Sequence, residues 1–133
     1  MNHARYFEPR EFRCPCGCKS PFYEWNVDAE LVELCDKIRE SYGAPIRVDS
    51  AYRCAEHNLE VGGVVDSFHT KGKAADLHPV KGRKTQEEIK SDVLRLQKIA
   101  CAVNRYGGVG LYDWGVHVDV RGYGARWDYR SKK

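Results

Sequence analysis

Apolar positions fall into two long helical stripes and several short alternating runs. After Asp28, a residue type that caps helices, Leu31, Leu34, Cys35, Ile38 and Tyr42 recur at helical spacing, and Gly43 and Pro45 end the run. Ile46–Ser50 then alternates as a short strand. A short helix is predicted over Ala55–Leu59, followed by a Gly-bearing loop. Ala74–His78 reads as a second strand stopped by Pro79. A charged stretch with Gly82 is expected to be a solvated linker. Thr85 and Glu88 have the Thr-x-x-Glu spacing of a capping box. Ile89, Val93, Leu96, Ile99, Ala100 and Val103 form the second helical face, and Gly107 is expected to close it. Val109–Tyr112 and Val116–Val120 read as a closing strand pair. Residues 1–27 are irregular, rich in aromatics, Pro and Cys. Long helices and short strands without a βαβ rhythm predict an α+β fold: a small antiparallel sheet packed with two long helices.

The chain has 133 residues, which suits one domain able to bury a core without disulfides. A net charge of +3 with no basic block or aromatic-interleaved Lys/Arg stripe argues against nucleic acid as a partner. No apolar run approaches the ~20 residues of a membrane span, and the N-terminal residues lack the apolar core of a signal peptide. Synthesis in the cytoplasm is therefore expected. Without export, six cysteines (14, 16, 18, 35, 54 and 101) are expected as free thiols or metal ligands rather than disulfides.

Three residues suit an open zinc site: His69, Asp76 and His117. Two imidazoles and a carboxylate leave a fourth position for water, which separates a catalytic from a structural zinc. Taken singly, each is more often an ordinary satisfied polar residue. Context favours the ligand interpretation. His69 follows a Gly-Gly loop and precedes Gly72. Asp76 follows the small residues Ala74 and Ala75. On an alternating strand, Val116, Val118 and Val120 face one way while His117, Asp119 and Arg121 face the other. Such a polar stripe is costly unless paired or bound to metal.

The run Ser50-Ala-Tyr-Arg53, then Asn58, Val61-Gly62-Gly63, Ser67-x-His69, Gly72, Ala74 and Asp76, then Gly-Val-Gly-x-Tyr112 and Val-His117-Val-Asp119, resembles the M15 zinc peptidases over residues 45 to about 128. That family includes D-alanyl-D-alanine carboxypeptidases, D,D-dipeptidases of vancomycin resistance and L-alanyl-D-glutamate endolysins of phages. Phe7-x-x-x-Glu11-Phe12-x-Cys14 is similar to the N-terminal segment of its small members. The resemblance implies the Hedgehog/D-Ala-D-Ala-peptidase-like fold and one catalytic zinc on His69, Asp76 and His117. It implies that Arg53 holds the substrate carbonyl and steadies the oxyanion, and that Ser67 touches the substrate. It also implies a peptidoglycan stem peptide as substrate, cut at a D-Ala–D-Ala or L-Ala–D-Glu bond. Small size and the lack of a wall-binding region point to a monomeric phage or prophage lysin, acting at the cell wall after release or from the virion. A catalytically weak zinc-containing wall-binding module is the alternative.

The proton carrier is the open point. In several M15 enzymes a carboxylate stands three residues before the last His; here that residue is Trp114. Asp113 is the expected general base, provided a turn or bulge at Trp114-Gly115 shortens the ~13 Å that four strand residues would impose. Asp119 is expected to orient the His117 ring, and His78 is a further candidate base. Cys14-Pro-Cys16-Gly-Cys18 is either a reduced, packed loop or a second, structural zinc site, with Cys35, Cys54 or a His as fourth ligand. Trp127 and Tyr129 are expected to close a core against a helix.

Overall fold

In the computed structural model, residues 4–17, 27–64 and 67–131 are described. A 3-10 turn over Pro9–Phe12 precedes α1 (Ala29–Tyr42), β1 (Ile46–Ser50), α2 (Ala55–Glu60), β2 (Ala74–Pro79), α3 (Gln86–Val103), β3 (Gly108–Leu111), β4 (Val116–Asp119) and β5 (Ala125–Asp128). The fold is α+β, as the periodicity predicts.

The helix signals act as their chemistry dictates. The Asp28 side chain accepts from the Glu30 N–H at 2.9 Å, and Gly43 ends α1 at φ 76°, donating its N–H to the Arg39 carbonyl. Thr85 and Glu88 form the reciprocal capping box of α3. Gly107 does not close that helix. α3 ends at Val103 with Asn104 as its C-cap, and the Asn104 side chain donates to the carbonyls of Gly108 and Asp119. Gly107 is instead a close-approach residue, because a Cβ there would lie 2.2 Å from the Asp119 carbonyl oxygen.

The five strands form one sheet in the order β1-β2-β4-β3-β5. All neighbours are antiparallel except β3 and β5, which run parallel. β5 lies in a tail where no strand is expected, because Ala-Arg-Trp-Asp alternates apolar and polar residues over only four positions, too short a run to mark a strand. Arg126 fixes it in place: its guanidinium donates to the carbonyls of Gly107, Asn104 and Cys101 beyond and at the end of α3.

Strand alternation gives the sheet two unlike faces. Ala75, Leu77, Val109, Leu111, Val116 and Val118 join the core with Leu31, Ile38, Val93 and Leu96 of the helices. α3 packs across β2, β3 and β4, and α1 packs on α3. The opposite face carries Asp76, His78, His117 and Asp119. No described helix is long and apolar enough to cross a membrane.

Candidate metal centre

β2 and β4 place Asp76 directly opposite His117 in the antiparallel register. His69 enters from the hydrogen-bonded turns before β2. Its Nε2 lies 3.1 Å from Asp76 Oδ1, and His117 Nδ1 lies 3.1 Å from the same oxygen. The three potential ligand atoms all fall within 4.8 Å of one another.

The remaining ring nitrogens are occupied. His69 Nδ1 lies 2.7 Å from the Ala51 carbonyl oxygen, and His117 Nε2 lies 2.8 Å from Asp119 Oδ2. A carbonyl or a carboxylate can only accept, so each outer nitrogen carries a proton. With a metal at the centre, each inner nitrogen would turn its lone pair to it, the arrangement that orients histidine ligands. Ligands at the ~2.0–2.1 Å of zinc–nitrogen and zinc–oxygen bonds stand about 3.3–3.4 Å apart at tetrahedral angles. Separations of 3.1 Å fit that geometry, and His69, Asp76 and His117 could hold a zinc ion.

Electrostatics agree with the donor set. Burial works to raise the Asp76 pKa, but hydrogen bonds from His117 and His69 outweigh it and hold the carboxyl well below the usual carboxylate range. Burial likewise opposes ionisation of Asp119, and the Arg121 and His117 side chains with the Gly108 N–H overcome it. Asp119 is fully buried, yet each of its hydrogen-bonding partners is a donor. Its expected place as the orienter of His117 matches this geometry.

The Ala51–Arg53 segment supports His69 from a second direction, with the Arg53 N–H donating to the His69 carbonyl at 3.2 Å. Arg53 Nε is buried and has no hydrogen-bond partner among the described residues. A buried guanidinium donor without an acceptor is costly. The Ser67 hydroxyl accepts from the His69 N–H at 3.1 Å, so it shapes the turn that presents His69.

A cavity of ≈ 450 Å³ reaches the cluster at Asp76 and is lined also by Asp49, His78, Lys81 and Trp114. His78 shares a strand face with Asp76, and its Nδ1 lies 2.7 and 2.8 Å from the two Asp49 carboxylate oxygens. Asp49 was missed from sequence. Its polar position on β1 was legible, but the β1–β2 register and the irregularity between Val48 and Ser50 that bring it to His78 were not.

Trp127 also departs from expectation. It packs over Gly110, where a Cβ would lie 2.2 Å from the indole Nε1, and its ring centroid stands 5.3 Å from that of His117. It therefore walls the metal side of the sheet rather than closing a core against a helix. Its Nε1 donates to the Tyr112 hydroxyl, and Tyr129 is 70% exposed.

The expected turn after Tyr112 forms: Tyr112 and Gly115 exchange backbone hydrogen bonds of 2.9 and 3.4 Å. It places Asp113 on an exposed hairpin tip, where Oδ2 accepts from the Ser131 N–H and hydroxyl. Trp114 stacks on Tyr112 with centroids 4.9 Å apart.

A family model described as Peptidase M15 matches residues 5–119. The chain belongs to the M15 peptidase family. M15 peptidases are zinc enzymes, and membership makes this chain a metallopeptidase with a peptide substrate. No curated protein matches it.

Proposed function

We propose that this M15 peptidase is a zinc-dependent hydrolase of peptidoglycan stem peptides, cutting a D-Ala–D-Ala or L-Ala–D-Glu bond, and that it serves as a phage or prophage lysin at the bacterial wall. The supporting observation is the His69–Asp76–His117 cluster, with both outer ring nitrogens engaged and a cavity reaching it at Asp76. When bound there, zinc supplies Lewis-acid polarisation of the scissile carbonyl and acidifies a water.

The protein's own residues carry the other tasks. Arg53, whose backbone N–H is tied to the His69 carbonyl, binds the carbonyl oxygen through its guanidinium and neutralises charge developing on it. Ser67 holds the His69 turn and offers the substrate backbone a hydroxyl. Trp114 and Trp127 border the metal side and limit water. For the proton carrier, geometry favours His78 over Asp113. His78 lines the same cavity as Asp76 and is oriented by Asp49, leaving its Nε2 for proton exchange. Asp113 has its Oδ2 engaged by Ser131. Asp119 stays the orienter.

Digestion of purified peptidoglycan, followed by mass spectrometry of the new termini, tests this function and names the bond. Cleavage should vanish with a chelator, return with zinc, and fall strongly in His78→Ala while Asp113→Ala keeps most turnover. The reverse order of the two variants would return the base to Asp113. The second interpretation, a zinc-containing wall-binding module, draws on Trp114 at the usual base position. It would prevail if zinc and wall binding persisted with no peptide cleaved.

A further inference from the structure

Cys14, Cys16 and Cys54 form a second cluster away from the histidines. Their sulfur atoms stand 3.3 Å (14–16), 3.8 Å (14–54) and 3.6 Å (16–54) apart. A disulfide requires ~2.05 Å between sulfurs, so none of these pairs is bonded. Thiolates at the ~2.3 Å of a zinc–sulfur bond, on tetrahedral directions, stand about 3.8 Å apart. The trio therefore has the edge lengths of one face of a zinc–thiolate tetrahedron.

Two further observations separate this from three small apolar side chains in contact. Backbone N–H groups donate to the sulfurs: Cys54 N–H to Cys14 Sγ at 3.5 Å, and His57 N–H to Cys54 Sγ at 3.4 Å. Such donors favour the anionic form of sulfur, the form that binds metal. The local backbone is also shaped to converge the thiols. Gly17 N–H donates to the Cys14 carbonyl, and Gly17 takes φ 82°, so the Cys14–Gly17 turn returns Cys16 beside Cys14. Cys35 does not belong to this group. It is fully buried on α1, and burial pushes its thiol up, which suits a core residue and not a ligand. Cys18 lies outside the described residues; among them Cys14 and Cys16 are joined by Cys54, one of the expected fourth ligands.

We propose that Cys14, Cys16 and Cys54 bind a second zinc ion, which ties the N-terminal segment to the loop carrying Arg53. Cys54 follows Arg53 directly and caps α2, while the Tyr52 N–H donates to the Phe12 carbonyl. A metal at this point fixes both ends of the short Ala51–Cys54 segment: Ala51 holds the His69 ring, and Cys54 is anchored to the N-terminus. The site is structural: its ligands are thiolates, and none of them lines the cavity or belongs to the histidine cluster.

The purified full-length protein tests this by metal content and by cobalt substitution. Elemental analysis should find two zinc ions per chain, with one retained in His117→Ala and one in Cys16→Ser. Cobalt-loaded protein should show a near-ultraviolet thiolate-to-metal charge-transfer band that persists in His117→Ala and is lost in Cys16→Ser. The exposed Cys16 of the unsubstituted protein should resist alkylation until a chelator is added, a readout that needs no variant to fold. A single zinc lost wholly in His117→Ala, absence of the charge-transfer band, or equal alkylation with and without chelator would each overturn the proposal. None of these readouts uses peptidase activity, so a failure here is distinct from a failure of the proposed function.

Discussion

Asp119→Asn changes one atom of a buried carboxylate and should disable the metal centre through the tautomer of His117. Asp119 Oδ1 accepts from the Gly108 N–H and from the Arg121 N–H and Nε, while Oδ2 accepts from His117 Nε2 and an Arg121 terminal nitrogen. Every partner is a donor, so an amide NH₂ meets donors in either orientation. With NH₂ at the Oδ1 place, three hydrogen bonds are lost. With NH₂ at the Oδ2 place, two are lost, so asparagine should turn its NH₂ toward His117. His117 then relieves the clash by moving its proton to Nδ1, the atom that faces Asp76, and the lone pair no longer points into the cluster. With the His117 contact re-formed, one lost acceptor on a guanidinium with some access to water predicts a stability loss of about 1–3 kcal/mol. Loss of the orienting partner predicts zinc affinity weaker by about 10–100-fold. Competition against a chromophoric chelator measures the affinity, nitrogen NMR of the imidazoles reports the tautomer, and urea unfolding of the metal-free protein gives the stability. Unchanged zinc affinity with His117 still protonated on Nε2 would refute this account of Asp119.

Arg53→Ala should lower kcat/KM by about 10²–10³-fold with zinc content intact, if its guanidinium serves the substrate carbonyl; steady-state kinetics beside elemental analysis checks both halves. Gly115→Ala puts a Cβ 2.1 Å from the Leu77 carbonyl oxygen, where only backbone movement between β2 and β4 gives relief; thermal unfolding should show a loss of about 1–3 kcal/mol. Burial works to raise the Asp28 pKa, but Lys73 and the Glu30 N–H outweigh it and hold it below 3.8. Its contribution to stability is therefore present above about pH 4 and lost as pH falls through the depressed value, so Asp28→Asn should flatten the acid limb of a urea-midpoint profile. At neutral pH, Asp28→Ala should cost about 1 kcal/mol as a lost N-cap.

Sequence alone determined the helices, the candidate metal donors and the polar face of β4, because each is a local property. Capping residues, a 3.6-residue apolar period and strand alternation depend on neighbours a few positions apart, and the spacing around His69, Asp76 and His117 matches a family pattern. Contacts set by chain crossings were decided only by the tertiary structure. The β1–β2 register, not the Asp49 residue type, joins Asp49 to His78. Parallel pairing of β5 with β3 carries Trp127 to His117, and the four-residue alternation of β5 could not name that partner strand. The hairpin turn expected to bring Asp113 inward instead sets it beside Ser131, because a tight turn points its central residues to solvent. Cys54 meets Cys14 and Cys16 across forty residues of sequence, and no spacing rule within a five-residue run could have shown it. Local chemistry names the groups able to act; which of them share a site is set by packing between distant segments, which no short window contains.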